Sequence, residues 1–184
     1  MHASAPNARE KSNAYIFSQL TQMLRGVTDA FSTKNRFKPN RLRQNSSWGD
    51  EVKDKSRISQ IVLRDELVEG LEGITGFSHL FVLFWLNQVP DEQRMILKVH
   101  PKGREDLPLM GVFATRTKLR PNPIGLTLVE LVKVEDNVLT VKGLDAYDGT
   151  AVLDVKPYDF WDMAKDAKVP NWWTKLEAEK QQNL

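Results

Sequence analysis

Val132-Lys133-Val134-Glu135-Asp136-Asn137-Val138-Leu139-Thr140-Val141-Lys142 reads as two strands joined by a tight turn. Val132 and Val134 alternate with Lys133 and Glu135, and Leu139 and Val141 alternate with Thr140 and Lys142. A period of two sends successive side chains to opposite faces, the mark of half-buried strands. With Glu135-Asp136-Asn137 between the runs, this is the strongest hairpin signal in the chain.

Further strands flank the hairpin. Arg57 to Leu63, Met95 to Val99, Leu109 to Thr115 and Ala151 to Val155 are short and apolar-rich. His79 to Leu86 is a continuous apolar run, which predicts a strand buried on both faces. Leu67, Leu71 and Ile74 predict a short helix among them. Many short strands at even spacing with little helix between them indicate a mainly β fold, a small barrel or a sandwich. There is no βαβ rhythm and no Gly-x-Gly-x-x-Gly, which argues against a Rossmann fold.

The chain divides into three parts. Residues 1–30 are an N-terminal extension: 1–11 lack apolar periodicity, and Ile16, Leu20, Met23 and Leu24 then share one helical face up to Gly26. Residues 31–160 form the β domain, beginning with a polar, loop-like stretch over 32–56. Residues 161–184 are a tail ending in a helix predicted over Trp172 to Gln182. Trp161, Trp172 and Trp173 in this tail either present a partner surface or dock on the domain.

A chain of 184 residues suits one domain and needs no covalent staple. The absence of cysteine excludes disulfides, thiolate zinc sites and cysteine nucleophiles, and agrees with a cytoplasmic location. No signal-peptide core is expected, and Leu80 to Leu86 is too short to cross a bilayer. The net charge of +2 says little about partners.

Two charged stretches carry more information. In Arg116-Thr117-Lys118-Leu119-Arg120-Pro121-Asn122-Pro123-Ile124-Gly125, the two prolines fix φ and push Arg120 and Asn122 toward extended backbone. Gly125 then frees the backbone. Such a stiff cationic loop suits an anionic or nucleotide-like ligand; a structural loop with solvated charges is the competing reading. Lys34, Arg36, Lys38, Arg41 and Arg43 fall within ten residues without an acid. They suit phosphate contacts or, alternatively, a solvated face. Asp148-Gly149 is a turn signal, and Asp145 and Asp148 can bind hydroxyl or amino groups of a ligand. His79 and His100 have no paired acid signature and read as structural, so no metal is expected.

Four segments in this order resemble the TsaA-like family of S-adenosylmethionine-dependent tRNA methyltransferases of the TrmO type. They are Gly76-Phe77-Ser78-His79-Leu80-Phe81-Val82-Leu83-Phe84-Trp85, Gly111-Val112-Phe113-Ala114-Thr115-Arg116, Arg120-Pro121-Asn122-Pro123-Ile124-Gly125-Leu126, and Asp148-Gly149-Thr150 with Val152-Leu153-Asp154-Val155-Lys156-Pro157-Tyr158. The resemblance covers about Gly70 to Tyr158 and extends back toward Phe31. It implies a small β-barrel, a homodimer with S-adenosylmethionine near the subunit boundary, and methylation of N6 of threonylcarbamoyladenosine beside the tRNA anticodon.

Carried over by position, the cofactor contacts are Leu42-Arg43-Gln44, where the family has Pro-Arg-Gln, and Asn87-Gln88, where it tends to have His and a polar residue. Arg116, Leu126 and Ala146-Tyr147-Asp148-Gly149 complete them. Lys34, Arg36, Lys38, Arg41 and Arg120 would meet RNA. Arg116 or Arg120 would stabilise developing negative charge, Asp148 is the nearest proton acceptor by motif, and no general base is identified. Two other readings stay open: the same fold methylating a small molecule, and a cofactor-binding module without transfer activity.

Overall fold

The computed structural model describes residues 40–43 and 54–182. Among them are β1 (Asn40–Arg43), β2 (Ile58–Val62), β3 (His79–Trp85), β4 (Lys98–Val99), β5 (Met110–Gly111), β6 (Ile124–Glu135), β7 (Val138–Lys142), β8 (Ala151–Pro157) and α1 (Asn171–Gln182). Six strands close into a barrel in the order β1-β2-β7-β6-β3-β8, with every neighbouring pair antiparallel, while β4 and β5 pair with each other. Closure rests on β1, where Arg41 lies opposite Val62 of β2 and Ala151 of β8. The mainly β barrel expected from the sequence is what the chain forms.

The hairpin sits where the alternation put it. Asp136-Asn137 joins β6 to β7, and Asp136 takes the left-handed backbone (φ 49°) that a tight turn requires. Asn137 also ties the turn to the end of β2. Its carbonyl accepts from the Leu63 N–H at 2.8 Å, and its Nδ2 donates to the Leu63 carbonyl at 2.9 Å and to Asp65 Oδ1 at 2.8 Å.

β6 is much longer than the hairpin alone predicts. Its first half pairs with β3 and its second half with β7, with a register shift between Leu131 and Lys133. Such a bulge bends a strand, which is how β6 serves two neighbours around a small barrel. Ile61, Leu80, Val82, Val129, Leu139, Val141 and Val152 fill the interior, each at most 1% exposed. Each such burial contributes roughly 1.5–3 kcal/mol.

The sequence expectations need correction at four places. The His79–Leu86 run is not buried on both faces: Leu80, Val82 and Phe84 point inward, while Phe81, Leu83 and Trp85 are half-buried on the outer face. The expected helix through Leu67, Leu71 and Ile74 is two 3₁₀ segments, Asp65–Leu71 and Ile74–Gly76, broken at Gly73, whose φ is 81°. Met95 to Val99 is a strand only at Lys98–Val99, after a 3₁₀ turn over Asp91–Met95. Leu109 to Thr115 is a strand only at Met110–Gly111. Val112–Ala114 then turns, because the Val112 carbonyl accepts from both Thr115 N (3.2 Å) and Thr115 Oγ1 (2.9 Å). Only Val112 of that turn is buried, and Phe113 is 77% exposed.

The tryptophans divide between the two expectations. Trp172 and Trp173 are half-buried at the start of α1, edge to face at 5.6 Å. Trp161 is 96% exposed on the Phe160–Asp162 turn, which Asp159 and Asp162 cap reciprocally.

An ion cluster holds α1. The Arg104 guanidinium bonds Asp106 and Glu179, and Lys175 bonds Asp106 at 3.1 Å. Arg104, and after it Lys175, hold the Asp106 carboxyl well below the usual carboxylate range, and Arg104 lowers Glu179. Both folded-state values are depressed, so this contribution is complete above the ordinary carboxylate range and is lost as pH falls through the depressed values. The groups are exposed, so salt weakens the cluster. We expect α1 to stay docked down to about pH 4 and to loosen below it, read from Trp172 and Trp173 fluorescence. Asp106→Asn should weaken the docking already at neutral pH; an unchanged acid profile in that variant would remove the cluster as the cause.

Candidate functional site

Strand register gathers the sequence-predicted segments at one end of the barrel. Trp85, the last residue of β3, lies opposite Ile124, the first of β6, and Ala151, the first of β8. Lys142, the last of β7, lies opposite Ile58, the first of β2. The exits of β3 and β7 and the entries of β2, β6 and β8 therefore share one end, and the chain direction of β1 takes Leu42 and Arg43 toward it. Asn87 and Gln88 follow β3 there, exposed, with the Asn87 N–H bonded to the Trp85 carbonyl at 2.9 Å.

The arginine–proline loop is rigid for reasons beyond its prolines. Thr117 N donates to Thr115 Oγ1 at 3.4 Å, and Leu119 N donates to Thr117 Oγ1 at 3.2 Å. Pro123 is buried, and its carbonyl accepts from Leu86 N at 2.8 Å, tying the loop to the end of β3. Arg116 Nη2 donates to the Leu126 carbonyl at 2.8 Å, so two of the predicted contact residues touch. Arg120 turns back, half-buried, onto the Thr117 carbonyl at 3.4 Å.

Gly125 has a different role from the one its sequence suggests. It lies in β6 directly opposite Phe84, and a Cβ there would sit 2.1 Å from Phe84 Cε2. Close approach of an aromatic ring, not backbone freedom, demands glycine at this position.

The Leu144–Thr150 segment crosses the same end. Leu144 and Ala146 are buried anchors. Gly149 (φ 73°) completes a turn in which Thr150 N donates to the Tyr147 carbonyl at 3.1 Å. Asp145 is exposed and accepts a hydrogen bond from the hydroxyl of Thr127, an inward-facing β6 residue. Thr127 escaped the sequence reading. Its one signal was a hydroxyl at an inward position of the Leu126-Thr127-Leu128-Val129 run.

Other candidates fall elsewhere. Lys34, Arg36, Lys38 and Gln44 lie outside the described residues, and Arg41 is on β1. His79 Nδ1 is 2.9 Å from Ser78 Oγ and its ring meets Tyr158, while His100 Nδ1 donates to the Leu107 carbonyl at 2.7 Å. Among the described residues no group of three His, Asp or Glu could hold a metal, and no helix is long and apolar enough to cross a membrane.

The barrel end thus presents a guanidinium, carboxylates and the exposed apolar Leu126. That donor set suits a small ligand carrying both signs of charge and a flat ring.

The chain resembles known proteins in sequence and in fold. A Methanothermobacter thermautotrophicus protein described as a "probable S-adenosyl-L-methionine-binding protein" is 45% identical over 103 residues, 56% of this chain and 71% of its own. An S-adenosyl-L-methionine-binding protein of Archaeoglobus fulgidus is 43% identical over 101 residues, 55% of this chain and 69% of its own. The crystal structure of TrmO from Pseudomonas aeruginosa is similar with a TM-score of 0.58 and 28% identity, covering 76% of this chain and 63% of that one. This chain therefore spans less than two thirds of that protein. Residues 43–162, well over half the chain, match the tRNA-methyltransferase O N-terminal domain, and the chain belongs to that family.

Proposed function

We propose that this protein is an S-adenosylmethionine-dependent methyltransferase that modifies N6 of threonylcarbamoyladenosine beside the tRNA anticodon. The observation that carries the proposal is the convergence at one barrel end of the Arg116–Leu126 contact and the Asp145–Gly149 segment. The residues fit the cofactor. Arg116 keeps further N–H donors beyond the one given to Leu126, which suit the cofactor carboxylate. Asp145 and Asp148 suit its amino group and ribose hydroxyls, and Leu126 its adenine. Leu42, Arg43, Gln44, Asn87, Gln88, Ala146, Tyr147 and Gly149 complete the proposed contacts.

Bound S-adenosylmethionine supplies a methyl group that is already electrophilic, so the chain's own work is alignment. Arg116 and the turn at Asp148-Gly149 orient the ligand. A carbamoyl group on N6 makes its proton easier to lose, and Arg116 or Arg120 offsets the charge that develops. Lys34, Arg36, Lys38, Arg41 and Arg120 meet RNA phosphates.

We further propose a homodimer. Ile124, Leu126 and Leu128 are exposed along the outer face of β6, opposite Trp85, Leu83 and Phe81 of β3. A second copy covers this continuous apolar stripe, which runs to the ligand-binding end. Sedimentation at tens of micromolar should show a dimer that Leu128→Glu splits; wild-type monomer at that concentration would refute it.

Mass spectrometry of tRNA nucleosides from cells with and without the gene tests the activity. Loss of the methylated nucleoside, restored by the purified protein, is expected. Neutralising Lys34, Arg36 and Lys38 together should weaken RNA binding and flatten its salt dependence, since each phosphate contact releases counterions. Cofactor affinity should not change. An identical salt slope would leave these lysines and this arginine as a solvated face.

A further inference from the structure

The turn at Val112–Ala114 and the start of α1 border an open cleft of ≈ 280 Å³, lined among others by Phe113, Thr115, Arg116, Pro170, Trp172 and Trp173. Three of its lining residues are aromatic, Ala114, Val169 and Pro170 add aliphatic surface, and its charged lining residue is an arginine. Phe113 is 77% exposed, a large ring left on the surface at the mouth of an apolar space. The indole Nε1 of Trp172 is buried without a hydrogen-bond partner among the described residues, which is costly for a donor.

Three features identify the occupant. Flat rings stack on aromatic walls at little cost in order, and single-stranded nucleic acid is held in this way. The cleft also lies beside a cationic segment: from Thr115 to Gly125 the chain carries Arg116, Lys118 and Arg120 and no acid. An apolar peptide gains nothing from that charge, whereas a nucleotide places its base in the cleft and its phosphate at the rim. Finally, Arg116 belongs to both places. It lines the cleft, and its guanidinium bonds the Leu126 carbonyl at the ligand-binding end of the barrel. A base seated in the cleft is thus next to the position where methyl transfer is proposed.

We infer that the cleft holds an unstacked nucleobase of single-stranded RNA adjacent to the nucleotide that is modified. This rests on the RNA methyltransferase reading above and adds a base-binding subsite to it. Stacking there holds the strand open next to the acceptor, so the cleft positions the substrate and takes no part in the proton or methyl transfer.

Phe113→Ala is the informative variant, because a ring this exposed can be removed without disturbing the core. The probe is a synthetic anticodon stem-loop RNA, titrated at several salt concentrations. Losing one stacking surface should weaken binding by roughly 5- to 100-fold. The salt slope should stay the same, since no phosphate contact is lost. Phe113→Tyr should restore affinity, and the stem-loop should quench Trp172 and Trp173 fluorescence less when one loop nucleotide is abasic. Cofactor affinity should be unchanged in both variants.

Four results would overturn the inference. If wild type and Phe113→Ala bind and methylate RNA equally, the cleft is not a base site while the methyltransferase reading stands. Weaker cofactor binding in Phe113→Ala would assign the cleft to the cofactor. If the variant alters self-association and leaves RNA binding intact, the cleft belongs to a protein contact. Failure of the wild-type protein to bind any RNA removes both this inference and the reading beneath it.

Discussion

Gly125→Ala is expected to lower the melting midpoint by roughly 4–12 °C. The added Cβ would lie 2.1 Å, 2.3 Å and 2.7 Å from three carbons of the Phe84 ring. Phe84 is 3% exposed and sits in the core, so the ring cannot swing into solvent. Relief requires separating β3 from β6 or forcing Phe84 off its rotamer, an overpacking cost of about 1–3 kcal/mol, here toward the upper end. For a chain of this length each kcal/mol moves the midpoint by roughly 2–4 °C. The effect should reach the site as well, because Leu126 follows directly and its carbonyl anchors Arg116. Combining Gly125→Ala with Phe84→Leu should recover part of the loss, since the two residues face each other and their effects cannot be additive. A midpoint equal to wild type for Gly125→Ala would show that the ring and the glycine do not constrain one another.

The same pair shows where sequence reading stops. Alternation at Val132–Lys142 located a hairpin, and the turn came out at Asp136-Asn137, although Val132 at the bulge is exposed and Thr140 is buried. Ile124 to Leu131 belongs to the same strand, yet it follows a proline loop and carries apolar side chains on both faces, exposed at Ile124, Leu126 and Leu128 and buried at Val129. An apolar outer face hides the period. In Leu109 to Thr115, apolar composition suggested a strand where only Val112 is anchored and the carbonyl of that residue closes a turn. Local sequence could not distinguish a buried strand from one anchor with exposed neighbours.

The candidate site was legible as a set of segments and not as a set of contacts. Arg116, Leu126 and Ala146–Gly149 were named from motif order, and antiparallel register brings the ends of the neighbouring strands to one rim. The bond between Thr127 and Asp145 joins residues whose neighbourhood exists only after β6 and the Leu144–Thr150 segment have crossed. No spacing rule predicts it. The cleft beside Arg116 likewise needs α1 folded against the Phe113 turn, and the ion cluster at Arg104 that docks α1 links residues far apart in sequence.

Arg116→Ala should weaken S-adenosylmethionine binding or turnover by roughly 10- to 100-fold while leaving the melting midpoint nearly unchanged. A charge-assisted hydrogen bond contributes about 1.5–3 kcal/mol, which sets the range. Arg116 is exposed, and the carbonyl it bonds is on exposed Leu126, so water can replace the lost donor and the barrel should not loosen. Arg116→Lys should fall between wild type and alanine. A lysine keeps the charge but loses the planar fork that lets one group hold the Leu126 carbonyl and a second acceptor together. The control is Lys133→Ala, which removes a cation paired with Glu135 at 2.8 Å on the exposed hairpin, at the opposite end of β6 from Ile124. Its effect on cofactor affinity should be negligible, and its effect on stability within about 0.5 kcal/mol. Isothermal titration with cofactor, beside thermal melts of all three variants, reads these outcomes separately. If Arg116→Ala and Lys133→Ala shift cofactor affinity equally and slightly, Arg116 serves only to hold the loop against Leu126. The cofactor contact must then come from the Asp145–Gly149 segment instead.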